Sequence, residues 1–205
     1  MKKIMFNDKY SLTQAVLDGR KTMTRRIFYI PDKLVPYLNI DDMFDIVDNC
    51  IIWKDKVGGI RMTFEPKYKV GEVVAIAQSY MDVDRFHRKG KNAAYLEYLD
   101  SILPELKLYP GWGNKMFVKA DLMPHHIEIT GIKVERLQDI SDEDILREGI
   151  YRFNDFIFAF DDNKGYIHSF DSAKEAFISL IDKVSGKGTW ESNPYVLCYE
   201  FVLVD

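Results

Sequence analysis

The sequence predicts a mixed α+β domain with a curved or barrel-like sheet. Segments with strand character outnumber helical segments, and the helical ones are scattered among the strands. Residues 126–137, HIEITGIKVERL, alternate apolar and polar side chains, as a half-buried strand does. Residues 172–186, SAKEAFISLIDKVSG, instead repeat apolar side chains at helical spacing. The chain has 205 residues, 47% of them apolar, which is enough for one generous domain.

The first half of the chain predicts a short helix, a hairpin and a buried strand. In SLTQAVLDG, Ser11 is a candidate N-cap and Gly19 is placed to end the helix. Two strand-like runs flank a double glycine at 58–59, which is typical of a hairpin. Residues 73–78 predict a buried strand. We expect insertions near residues 30–66 and 81–111, the second with a helix over about 92–103.

The second half predicts a longer strand, two capped helices and a closing strand. Gly131 breaks the alternation of the long strand and indicates a bulge. The acidic helix that follows has Ser141 as its N-cap and ends at Gly149. A hairpin and the helix beginning at Ser172 come next, and residues 194–204 predict the last strand.

Composition limits the classes of function. The net charge is −4, with a sequence pI of about 5.6, which argues against charge-driven coating of a nucleic acid. Cys50 and Cys198 lack the spacing of metal ligands and favour reduced cysteines in a cytoplasmic protein. No apolar run approaches the roughly 20 residues of a membrane span, and the first ten residues do not resemble a signal peptide. We expect no membrane partner.

A basic stretch, DGRKTMTRR at residues 18–26, stands out against this acidic background. It contains four cations and no acid after its aspartate: Arg20, Lys21, Arg25 and Arg26. One interpretation is a solvated helix end, because cations are favourable there. The other is contact with a phosphate or nucleic acid, since arginine binds phosphate through two parallel hydrogen bonds.

The same stretch contains a candidate nucleophile. A threonine hydroxyl such as that of Thr24 is a weak nucleophile until a base accepts its proton. Lys21, three residues earlier, can be that base if burial or neighbouring cations lower its pKa. Spacing alone leaves this catalytic interpretation open beside the binding one.

These residues resemble the signature of the ASCH domain, a PUA-like family built on a small β-barrel. The signature is Gly-x-Lys-x-x-(Thr or Glu)-x-Arg, which Gly19, Lys21, Thr24 and Arg26 satisfy. Three further segments are similar to the family in the same order along the chain: 68–80, 129–150 and 188–204. The opening and closing segments resemble the longer, phage-type members. The resemblance therefore implies one ASCH-like domain over residues 1–205, a PUA-like β-barrel with peripheral helices and insertions.

The resemblance also implies site residues. One small bacterial member hydrolyses N4-acetylcytidine with a Lys and a Thr of the signature and a Glu of the acidic helix, which correspond here to Lys21, Thr24 and Glu148. Thr24 would attack the acyl carbon, with Lys21 as proton acceptor and Glu148 as proton donor. The alternative is that Glu148 is a helix-end residue paired with Arg147 or Lys21. This chain is about twice as long as that hydrolase, so its insertions can reshape the pocket.

Three functions therefore remain open. In the first, the cleft lined by Lys21, Thr24, Arg26 and Glu148 binds RNA or a modified nucleoside. In the second, it is an amidohydrolase of an N4-acylated cytidine, and in the third the chain is a phage assembly factor. Tyr80 and Trp112 are candidates for stacking on a base, although packing explains each as well. We expect no metal site and no cofactor, because the histidines are scattered or adjacent on a strand.

Overall fold

The computed structural model describes residues 1–31, 33–34, 37, 43–90 and 93–204. Its main sheet has five strands, in the order β1-β6-β7-β11-β2. They are β1 (Lys3–Ile4), β2 (Met23–Ile27), β6 (Val73–Ile76), β7 (His126–Arg136) and β11 (Tyr195–Leu203). β1 runs parallel to β6, and the other neighbours are antiparallel. The α+β class is confirmed.

The main sheet is open, not the closed barrel expected from the resemblance. β1 and β2 are its two edges, and within the described residues no strand pairing joins them. The edges still approach one another, because the guanidinium of Arg26 on β2 donates a hydrogen bond to the carbonyl of Met5, just after β1. A side chain therefore crosses the gap that a barrel would close with backbone hydrogen bonds.

Two small sheets flank the main one. The first contains β3 (Met43–Val47), β4 (Cys50–Lys54) and β5 (Ile60–Phe64) in sequence order. The predicted hairpin is its second half, and β3 adds a strand that the sequence analysis did not identify. The second contains β8 (Tyr151–Arg152), β9 (Phe158–Asp161) and β10 (Ile167–Phe170), of which β9 and β10 form the second predicted hairpin.

Six α-helices are described. They are α1 (Leu12–Leu17), α2 (Tyr80–Gly90), α3 (Ala93–Leu106), α4 (Asp142–Arg147), α5 (Ala173–Ser185) and α6 (Thr189–Ser192). The helix expected over about 92–103 is confirmed as α3, and both α2 and α3 fall within the predicted insertion at 81–111. No described helix is long and apolar enough to cross a bilayer.

Helix caps position the segments near the site. Ser141 accepts a hydrogen bond from the backbone N–H of Asp144 at 3.2 Å, as predicted for the start of α4. Ser11 occupies the N-cap position of α1, as predicted, but its backbone is left-handed, with φ of 52°, and its side chain makes no capping bond. The bulge indicated at Gly131 is confirmed: Gly131 pairs with Glu200 and Ile129 with Phe201, so the register skips Thr130.

The core lies between the main sheet and helices α1, α4 and α5. Ile127 and Ile129 of β7 and Phe177 of α5 are buried in it. A smaller cluster around α2, α3 and the following turns is separate from this core. α4 contacts both α5 and β2, which is an edge strand of the main sheet. It therefore lies at the edge of the sheet, against a helix of the core.

Loss of the Ser141 cap will destabilise the fold. We predict that Ser141→Ala lowers the free energy of unfolding by about 1 kcal/mol, because the N–H of Asp144 loses its acceptor. The matched control, Ser11→Ala, removes no capping bond and should change it by less than about 0.5 kcal/mol. Urea unfolding of both variants measures the difference. Equal losses would contradict the assignment of the two caps.

Candidate functional site

The site is built where the end of α4 meets the start of β2. The backbone N–H of Thr22 donates to the carbonyl of Arg147 at 3.0 Å, and that of Lys21 donates to the carbonyl of Ala15 at 2.9 Å. Lys21 is thus fixed between α1 and α4 before β2 begins. At Gly149 the chain turns with φ of 104°, a conformation that an L-side chain rarely adopts. This turn leads the chain out of α4 beside Lys21.

Lys21 and Glu148 form a buried ion pair. The ammonium Nζ of Lys21 donates to Oε2 of Glu148 at 2.6 Å and to its backbone carbonyl at 2.7 Å. The two side chains are 2% and 7% exposed. The predicted catalytic lysine and glutamate, 127 residues apart, are therefore in direct contact.

Arg25 anchors the other side of Glu148. Its guanidinium donates from Nη1 to Oε1 of Glu148 at 3.0 Å, from Nη2 to Oδ2 of Asp144 at 2.8 Å, and from Nε to Oε1 of Glu135 at 2.7 Å. The Arg25 side chain is 1% exposed. The expectation that Arg25 binds phosphate does not fit this geometry, because three carboxylates already occupy its donors.

The ion pairs continue outward as a network. Lys133 of β7 lies 2.8 Å from Asp144 and 3.0 Å from Glu135. Arg147 lies 3.5 Å from Asp144 and 3.0 Å from Glu200 of β11. Four elements, β2, β7, α4 and β11, are linked by these side chains. We call this set the charge network: Lys21, Arg25, Lys133, Arg147, Glu135, Asp144, Glu148 and Glu200.

Among the shifted pKa values of the network, those of Lys21 and Asp144 bear most directly on its chemistry. Burial lowers the pKa of Lys21 below its usual 10.5, with a further contribution from the positive charges of Arg26 and Arg25, and the nearby Glu148 only partly offsets this. Burial alone would raise the pKa of Asp144, but hydrogen bonds from Lys133 and Arg25 outweigh it and hold that pKa below 3.8. A lysine with a lowered pKa is a better proton acceptor near neutral pH.

Lys21, Thr24 and Glu148 face one cavity of about 580 Å³. That volume is within the range of small-ligand sites. Its apolar wall consists of Met5, Phe6, Leu12, Ile27, Phe177, Leu180, Ile181 and Val184. Thr24 is 5% exposed, and no other described residue hydrogen-bonds to its hydroxyl. Among the described residues the Thr24 hydroxyl therefore has no hydrogen-bond partner. It belongs to a mostly apolar cavity that a buried lysine–carboxylate pair also lines.

Of the other residues predicted for the site, one lines the cavity and three do not. Arg26 lines the cavity and is exposed. Arg20 does not line it, but pairs with Asp18 at 3.1 Å and lies over the ring of Tyr151. The structure also does not bring the two aromatic candidates, Tyr80 and Trp112, to the cavity.

Both aromatic candidates belong to the smaller core cluster. Tyr80 is 4% exposed, and its hydroxyl accepts a hydrogen bond from the N–H of Lys119 at 2.9 Å. Trp112 packs against the same cluster, under the ammonium of Lys107. The sequence analysis gave packing as the alternative explanation for both residues, and packing accounts for their positions in the structure.

Sequence reasoning missed several polar residues of the site. Lys115 lines the cavity, donates to the carbonyl of Phe6 and pairs with Asp8 at 2.7 Å. In the sequence, Asp144 is one of several acids of α4 and Glu135 is a polar position of a strand. The signal for both is the six carboxylates in 135–148, which can pair with the four cations in 20–26.

Comparison of the chain with protein-family models, curated proteins and solved structures found no match. Within the described residues no group of three or more histidine, cysteine, aspartate or glutamate side chains is arranged to hold a metal ion.

Arg25 should be far more important for stability than Arg20, five residues earlier. We predict that Arg25→Met lowers the free energy of unfolding by about 3–5 kcal/mol, because it leaves buried carboxylates without their cation. Arg20→Met breaks only an exposed pair and should cost less than about 1 kcal/mol. Chemical denaturation of the two variants tests this. Similar losses would mean that the buried network is not formed.

Asp144 should make stability fall in acid. Its pKa in the folded protein lies below the ordinary 3.8 that the same carboxyl has in the unfolded chain. Between these two pKa values the unfolded chain binds more protons, so stability decreases as pH falls through that interval. We predict that Asp144→Asn is less stable at neutral pH but loses less stability between about pH 5 and about pH 3. Urea unfolding across this range measures both slopes. Parallel slopes would contradict the assignment.

Proposed function

We propose that the protein hydrolyses the acyl amide of an N-acylated nucleoside, such as N4-acetylcytidine, in the 580 Å³ cavity. The observation that carries the proposal is the free hydroxyl of Thr24 in the same cavity as the Lys21–Glu148 pair. A nucleophile and a base of lowered pKa that line one cavity are the basic requirements of acyl transfer. The nucleoside class comes from the ASCH resemblance, and the volume of the cavity agrees with it.

The chain's own groups supply each proton transfer. Lys21 first passes a proton to Glu148 across their 2.6 Å hydrogen bond, and in this neutral form it accepts the hydroxyl proton as Thr24 Oγ1 bonds to the acyl carbon. Glu148 then donates its proton to the nucleobase nitrogen as the C–N bond breaks. Water then attacks the threonine ester with the same pair as base, which releases the carboxylic acid and restores the Thr24 hydroxyl.

Arg25 would have a positioning role in this scheme. It holds Oε1 of Glu148 at 3.0 Å while Lys21 holds Oε2 at 2.6 Å, so the carboxylate cannot rotate away from the lysine. Its positive charge also favours the neutral form of Lys21. A side chain that is fixed by ion pairs is pre-organised for proton transfer.

The arrangement of the strands supports the ASCH-like assignment on which the substrate class rests. Three of the segments that carry the resemblance contribute the adjoining strands β6, β7 and β11, and the signature itself contributes β2. The segments where the resemblance is weakest contain the sheet β3–β5 and the helices α2 and α3. We therefore propose that an opened PUA-like sheet is the common element and that the other parts are insertions.

A second candidate is a binding module for RNA or a modified nucleoside. Arg26 favours it, because this exposed cation lines the cavity and pairs with no carboxylate among the described residues. The position of Arg25 weakens it, because one of the three arginines expected to hold phosphate is committed to the charge network.

Substitution of Thr24 separates the two candidates. We predict that Thr24→Val, which keeps the shape but removes the nucleophile, lowers acetate release from N4-acetylcytidine at least about 1,000-fold. Thr24→Ser keeps a hydroxyl and should retain measurable turnover. Thr24→Val should also unfold at the wild-type temperature, because the hydroxyl makes no bond within the described protein.

The assay is acetate release by the purified proteins, beside calorimetric binding of cytidine. Wild-type binding without turnover would replace the hydrolase with the binding module. Equal turnover by wild type and Thr24→Val would remove Thr24 from the mechanism.

A further inference from the structure

A second cavity of about 340 Å³ adjoins the first. Met5, Arg26 and Ile27 line both, so the two volumes meet along the gap between β1 and β2. The remaining walls of the second cavity are Lys3, Lys67, Tyr68, Leu197 and Tyr199. These three shared side chains are therefore the boundary between the two cavities.

The second cavity is lined by three cations and no carboxylate among the described residues. One N–H donor of Arg26 is used in the hydrogen bond to the carbonyl of Met5. Lys3 donates to the carbonyls of Met116 and Val118, both at 2.7 Å, which leaves its ammonium one donor. Lys67 lies over the ring of Tyr68, 5.3 Å from its centroid, and forms no ion pair with a described residue.

Glu72, whose charge acts on Tyr68 and Tyr199 of this cavity, is itself already paired. Oε2 of Glu72 accepts hydrogen bonds from Lys2 and from the backbone N–H of Lys69, each at 3.0 Å. The first cavity differs, because its deepest cations, Lys21 and Arg25, are matched by carboxylates. The unmatched positive charge is therefore concentrated at Arg26 and beyond it, in the second cavity.

We propose that the second cavity is a phosphate subsite, so that the ligand of the site is a nucleotide and not a free nucleoside. This inference rests on the proposed function, in which the first cavity holds the base. Arg26 would bind the phosphate where the cavities meet, with Lys67 and the free donor of Lys3 on its far side. Charge-assisted hydrogen bonds from several donors are typical of phosphate sites.

The aromatic residues of this cavity argue for a single nucleotide and against an RNA strand. Tyr68 and Tyr199 pack edge to face, with centroids 5.3 Å apart, and they are 3% and 2% exposed. Neither therefore presents an open ring face, which is what a second base needs for stacking. The net charge of −4 points the same way.

Calorimetric titration of the wild-type protein with cytidine and with its 5′- and 3′-monophosphates tests the subsite without depending on hydrolysis. We expect one of the nucleotides to bind at least about tenfold more tightly than cytidine, since one charge-assisted contact is of that size. Lys67→Gln should reduce this ratio several-fold. Lys164→Gln, an exposed lysine of the β9–β10 turn, is the matched control and should leave the ratio unchanged.

Equal affinities for cytidine and both nucleotides would overturn the subsite, as would a ratio that Lys67→Gln leaves unchanged. A short RNA that binds more tightly than either nucleotide would replace the nucleotide with RNA. Preference for a nucleotide without acetate release would uphold the subsite and reject the hydrolase. Acetate release without that preference would do the reverse, and a protein that binds none of these ligands would reject both.

Discussion

The burial of two cations, Lys21 and Arg25, behind the cavity is the constraint on which the site depends. Burial disfavours a charge unless it is paired, and the partners come from distant segments: Glu135 from β7, and Asp144 and Glu148 from α4. β2 and α4 are thereby held in one arrangement. Such a network adds little net stability over well-packed apolar residues, so we attribute it to function: it fixes a carboxylate against a lysine whose pKa is lowered.

The open sheet determines where that chemistry lies. A barrel would satisfy the edges of β1 and β2 with backbone hydrogen bonds and would fill the space between them. Here a side-chain hydrogen bond from Arg26 to the carbonyl of Met5 crosses the gap, and both cavities lie along it. Three members of the charge network, Lys21, Arg25 and Glu148, line the first cavity. The second is lined by cations that pair with no carboxylate among the described residues. The first cavity is therefore mostly apolar, with its buried cations paired to carboxylates, and the second, adjacent cavity is cationic. This combination suits a ligand with an uncharged base and an anionic end.

The sequence predicted three of the five strands of the main sheet, β6, β7 and β11, because these strands are signalled locally, but it did not identify β1 or β2. Alternation identified β7, and Ser141 identified the start of α4. Contact between Lys21 and Glu148 was different, because no periodicity links residues so far apart, and it was expected only from the resemblance. The role of Arg25 was mispredicted because composition gives four cations in one stretch without saying which of them is buried. The sequence also did not identify strand β3 or the burial of Tyr80, because both depend on tertiary packing, which local patterns do not encode.

The pKa of Lys21 is the most direct test of this account. It can be measured by NMR titration of the lysine side-chain resonances, with Lys21→Arg used to assign the signal that disappears. The account predicts a pKa below the ordinary 10.5, because burial and the charges of Arg26 and Arg25 together outweigh Glu148. A value at or above 10.5 would mean that Lys21 is only the cation of a structural ion pair. It would then not serve as a base for Thr24, and the central claim would be contradicted.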